Sequence, residues 1–264
     1  MLRGIYSAAS GMLANQTKMD VIAQNLANVN TPGYKRETTV SQSFQSLLVQ
    51  RINDQPESGQ VDNVPTLVGP MGLGTFIANT ATRLTGGPLQ ATGNPLDVAL
   101  RGDGFFVVQT DNGPRYTRQG NFQQSADGRL VTADGWTVQL QDGTVAQAAP
   151  GELLTIGRGG EVRSGDRVLG QLQIANSTQL GPMTKEGAGL WRVTDGAETA
   201  MVVAPGEAGG GYQLEVGVLE QSNVNPITEM VEMIATMRAY EASQRTIQTQ
   251  DETLRRTVND VGRI

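Results

Sequence analysis

The chain has 264 residues, enough for one large or two smaller domains, and its 33 Gly, 11 Pro, 5% aromatic and 17% charged residues describe a turn-rich protein rather than an ordinary helical enzyme. A net charge of -6 and a pI near 4.8 argue against a protein that binds by neutralising nucleic-acid phosphates. Zero Cys and zero His exclude disulfides, thiolate or imidazole metal sites, Cys nucleophiles and His-dependent triads.

The first thirty residues carry a seven-residue repeat. Ile5, Met12, Met19 and Leu26 form one series, and Ala8, Asn15, Ile22 and Val29 form the other, offset by three. This predicts a helix with a coiled-coil seam, an ordinary surface helix on a globular core being the alternative. Gly4 and Gly11, one heptad apart, predict a close approach by another backbone. Ser7, Ser10, Asn15, Gln16 and Thr17 interrupt every apolar run, so neither a secretory leader nor a membrane span of about 18 residues is expected. The helix ends in Asn25, Asn28 and Asn30, poor helix formers, followed by Thr31-Pro32-Gly33.

Residues 38–75 read as an extended linker. From 76 to 204 the period changes to two, with LDVAL (96–100), FFVV (105–108), RLVTA (129–133) and WTVQL (136–140) among the strand candidates. Asx-Gly pairs such as Asp103-Gly104, Asn112-Gly113 and Asp127-Gly128 separate them, as tight hairpins require. This predicts a compact antiparallel β domain. Residues 205–221, opening with PGEAGGGY, read as the return linker.

A last helix is expected within 222–264, with Asn225 as N-cap, Pro226 at the first helical position and Glu229 in the first turn. Met233, Tyr240, Ile247, Leu254 and Val261 recur every seven residues. Met230, Met237 and Val258 form the companion series, which Gln244 and Asp251 interrupt. The expected fold class is therefore α+β: long N- and C-terminal helices, from 1–37 and 222–264, packed as a coiled-coil-like domain, with an inserted antiparallel all-β domain.

No catalytic residue, cofactor ligand or metal ligand is assigned. Arg101-Gly102-Asp103 matches an adhesion tripeptide but runs straight into a strand, so it reads as a turn. The Asp-Gly pairs lack the D-x-D-x-D-G spacing of a calcium loop. MGLGTF (71–76) and GRGGEV (157–162) do not open a helix after a strand, which a phosphate-binding loop requires. Among 26 acidic residues nothing singles out a catalytic pair.

Three blocks carry a resemblance: MLRGIYSAASGMLANQTKMDVIAQNLANVNTPGYKR, then TGNPLDVALRGDGFFVVQ with YTRQGNF and GRLVTADG, and finally LEQSNVNPITEMVEMIATMRAYEASQRTIQTQDETL. In this order they resemble the rod and hook proteins of the bacterial flagellar basal body. The resemblance implies a structural subunit, not an enzyme, that is exported by the flagellar type III apparatus and polymerises helically with itself and with other rod and hook proteins. RAYEAS (238–243) is most similar to the distal rod branch, with the proximal rod and a hook-type protein as alternatives. Implied assembly contacts are Ile5, Ala8, Met12, Asn15, Met19, Ile22, Leu26 and Asn28 in the first helix, and Met230, Met233, Met237, Tyr240, Ile247 and Leu254 in the last. Asn15, Asn25 and Asn28 are expected to exchange amide hydrogen bonds with neighbouring subunits. Readings from other classes are an extracellular adhesive β module and a carboxylate hydrolase of cell-wall glycan.

Overall fold

The structure is a computed structural model that describes residues 2–44, 47–51, 66–72, 74–176, 182–187, 189–194 and 212–261. The chain divides into two compact units. The first combines residues 1–26, 37–83 and 226–264, and the second combines 27–36 with 84–225.

The first unit holds two helices, α1 (Leu2–Ala27) and α2 (Pro226–Val261). Proline opens α2 because its missing N–H is among those that a helix start leaves without a partner. Four strands complete the unit: β1 (Glu37–Ser43), β2 (Leu47–Arg51), β3 (Thr66–Met71) and β4 (Thr75–Thr82). β1 pairs antiparallel with β4, from Glu37 opposite Thr82 to Ser43 opposite Thr75, with a register shift after Val40; β2 pairs with β3. The polar sequence ETTVSQS hides β1 from a search for alternating apolar residues, and the strand is half-buried at its start and exposed beyond.

The second unit is an antiparallel β body. Its largest sheet has eight strands, with Phe105–Thr110 paired to Gly113–Thr117 on one side and to Thr137–Val138 and Ile174–Ala175 on the other. Alternation along Phe105–Thr110 sends Phe106 and Val108 into a core with Leu130, Val138 and Leu172, and sends Phe105 and Val107 to a second core with Tyr116 and Trp191. Both faces are buried, which explains the unbroken run FFVV. At Asp103-Gly104 the left-handed backbone falls two residues before the glycine of the pair, on Gly102 with φ 106°. Gly104 is buried instead, where a Cβ would stand 3.1 Å from Ile174.

The expected fold class is corrected in its helical half. The described residues contain two helices beside a large, mostly antiparallel β body, and those helices are not packed as a coiled coil. The companion series of α2 does not face inward. Met230 and Met237 of the companion series are 46% and 56% exposed, and the buried α2 positions one residue earlier are Glu229 and Thr236. A helix turns 100° per residue, so a displacement of one position moves a series to another face. The expected inserted β domain agrees with the structure.

Candidate assembly interface

In the first unit α1 and α2 meet in antiparallel sense, with small and polar residues among those that touch. A Cβ on Gly4 would collide with the Gln250 amide, and one on Gly11 would lie 3.9 Å from Ser243 Oγ. The glycines thus admit side chains rather than a second backbone.

Asn25, 1% exposed, works like a piece of backbone. Its Nδ2 donates to the Glu37 carbonyl at 2.8 Å, and its Oδ1 accepts from the Glu37 N–H at 3.0 Å, holding the start of β1 against the end of α1. Nδ2 also donates to Glu229 Oε2 at 3.2 Å, which ties in the first turn of α2. The expectation that Asn25 bonds a neighbouring subunit is therefore overturned: its amide is engaged within the chain. Asn28 Oδ1 accepts from Thr31 Oγ1 at 3.2 Å, a local turn contact. Replacing Asn25 by Ala should lower stability by about 2 kcal/mol, since it strips buried polar groups of partners. Asn25→Asp should cost more by facing Glu229 with a second carboxylate. Urea unfolding followed by helical circular dichroism checks both.

Most other assigned contact residues on α1 are half-buried: Ile5, Ala8, Met12, Asn15, Met19, Leu26 and Asn28; Ile22 is buried. On α2, Met233, Tyr240, Ile247 and Leu254 are half-buried, whereas Met230 and Met237 are exposed. Further exposed apolar residues were missed at the sequence level: Tyr6 at 73% and Leu13 at 66% on α1, and Ile227, Val231 and Ile234 at 71%, 60% and 54% on α2. A free monomer gains nothing from such a surface.

The second unit has a buried charge cluster where the chain enters and leaves it. Lys35 Nζ donates to Glu220 Oε1 at 2.6 Å and to the Thr85 carbonyl at 3.0 Å. Arg118 Nη1 donates to Glu220 Oε2 at 3.4 Å and to the Leu100 carbonyl at 3.1 Å, and Nη2 donates to the Gly102 carbonyl. All three side chains are at most 3% exposed. Burial pulls Lys35 below the ordinary lysine range; the Glu220 carboxylate pushes it back, and the Arg118 charge adds to the lowering. Arg118 is likewise lowered by burial, against the pull of Glu220 and then of Asp103. Backbone contacts reinforce the cluster, with Gly33 N–H on the Glu220 carbonyl at 2.7 Å and Arg36 N–H on Asn223 Oδ1 at 2.7 Å. Sequence reading missed it because Lys35 and Glu220 are 185 residues apart. The adhesion tripeptide lies beside it, its Arg101 paired with Glu215 at 3.0 Å.

Three family models match the chain: one described as flagella basal body rod protein over residues 5–35, one as the flagellar hook protein FlgE/F/G D1 domain over 99–179, and one as the C-terminal part of flagellar basal body rod FlgEFG proteins over 215–260. Full-length relatives agree. The flagellar basal-body rod protein FlgG of Bacillus subtilis is 36% identical, covering 98% of this chain and 99% of its own. FlgG of Agrobacterium fabrum is 37% identical over 95% and 96% of the two chains, and FlgG of Borreliella burgdorferi 35% over 96% and 97%. The chain belongs to the flagellar basal-body rod protein family. This rod-family chain is a structural subunit located in the flagellar basal body. The three matched segments fall on α1 and its turn, on the β body, and on the strand Val218–Glu220 with α2.

Proposed function

We propose that the subunit polymerises helically into the axial rod through its terminal helices, meeting copies of itself and other rod and hook proteins after export by the flagellar type III apparatus. The observation that carries this reading is the inversion on α2, where Glu229 and Thr236 are buried while Met230, Ile234 and Met237 stand exposed. Such a helix lowers its free energy when other protein covers it. In this reading residues 1–37 and 222–264 supply the assembly helices, 76–204 an outer β domain with no reaction to catalyse, and RAYEAS (238–243) favours the distal section. A hook-type axial protein is the second reading, favoured by the hook-protein description of the match over 99–179. Rod relatives covering 95–98% of the chain favour the rod.

The test uses Met19, half-buried in the free subunit. In a host lacking its own copy, Met19→Asp should leave the β body's thermal unfolding unchanged and the subunit exported, yet prevent rod completion, because burying an unpaired carboxylate at every equivalent contact costs several kcal/mol. Met19→Leu, which nearly conserves volume, should restore motility. Normal rods from the Asp variant would remove the Met19 face of α1 from the interface.

A further inference from the structure

The first unit carries two uncharged surfaces that suit one another. One is the outward row of α2, Ile227, Met230, Val231, Ile234 and Met237, 46–71% exposed. It recurs at helical spacing on the side away from the buried Glu229 and Thr236. The other is a groove of about 440 Å³ between α1 and β4, walled by Leu13, Ala14, Phe44, Phe76 and Ile77. Phe44 and Phe76 pair with ring centroids 5.1 Å apart and remain 44% and 40% exposed.

We infer that the groove of one subunit receives the outward row of α2 from a second copy. This rests on the assembly reading and names the surfaces that meet. Every residue lining the groove is uncharged, as is every member of the row, so neither surface has to strip water from an ion when they join. Their lengths agree as well. Ile227 to Met237 spans about 15 Å of helix, and the groove wall from Thr75 to Thr80 spans roughly 17 Å of strand. The row faces away from α1, and α1 forms one wall of the groove, so the occupant comes from another molecule. Because two different patches meet, the contact is heterologous, and its repetition gives a ring or an open helical array.

The native chain has no Cys, so cross-linking reads the pairing directly. Full-length Leu13→Cys and Ile234→Cys proteins are mixed at a concentration where the wild-type chain self-associates, and mildly oxidised; Phe76→Cys probes the opposite wall. The expected result is a disulfide-linked mixed dimer on the order of tenfold more abundant than the dimer of either variant alone, the discrimination of a specific contact over random encounter. Closure within one chain of the double variant would show that the row fills its own groove and overturn the inference. Equal or dominant like-with-like dimers would overturn it too. Self-association without mixed cross-links at either wall would refute this pairing while leaving helical assembly standing, whereas a chain that never self-associates would sink both.

Discussion

Replacing Glu220 by Gln should destabilise the β body by about 3–5 kcal/mol, because it leaves the buried cations of Lys35 and Arg118 facing each other without a counter-charge. For a unit of this size that corresponds to a fall in Tm of roughly 10 °C. Calorimetry on the full chain should assign the loss to the transition of the β body. The effect depends on the partners left behind. Lys35→Met together with Glu220→Gln removes one cation along with the carboxylate, and should recover a substantial part of the loss. Equal losses in single and double variants would mean that the cluster acts through packing rather than charge.

Gly120→Ala should be as damaging by a different route. A Cβ there would overlap the Val98 carbonyl oxygen, and Val98 N–H in turn donates to the Gly120 carbonyl at 3.0 Å. The obstacle is backbone, so no side-chain rotation relieves it. Val98 is fully buried, and parting these segments also disturbs its core neighbours Leu100, Phe106 and Phe122. The cost should reach about 3 kcal/mol or more, the upper range for overfilled cores. Near-ultraviolet circular dichroism and thermal unfolding measure it. Gly135→Ala at an open hairpin, where a Cβ meets nothing within 4 Å, should lose only the smaller cost of its left-handed backbone.

These two sites show where sequence reading succeeds and where it stops. The start of α2 was legible because Pro226 and Glu229 follow local rules of helix initiation, and the strands of the β body because FFVV, WTVQL and the Asx-Gly turns are also local signals. The half-buried series Met233, Tyr240, Ile247 and Leu254 was legible too, but the placement of the companion series was not. Hydrophobicity selected Met230 and Met237 as inward, but space beside Gly4 and Gly11 of α1 is filled by Gln250 and Ser243. At Glu229 and Thr236 against Met230 and Met237, α2 reverses the usual rule that large apolar residues mark the inside. Asn25 raised the right question without its answer, since only the fold brings Glu37 and Glu229 to its amide. The pairing of Lys35 and Arg118 with Glu220 likewise exists only after the chain has returned from the β body. β1 was hidden because its stabilisation comes from backbone pairing with β4 rather than from an apolar face.

The most direct measurement is an electron cryo-microscopy image of the assembled rod with this subunit traced. In that rod Tyr6 and Leu13 of α1, and Met230, Ile234 and Met237 of α2, all exposed in the single chain, should lie buried against neighbouring copies. A rod in which these side chains face solvent, with the β bodies making all contacts between subunits, would contradict assembly through the terminal helices.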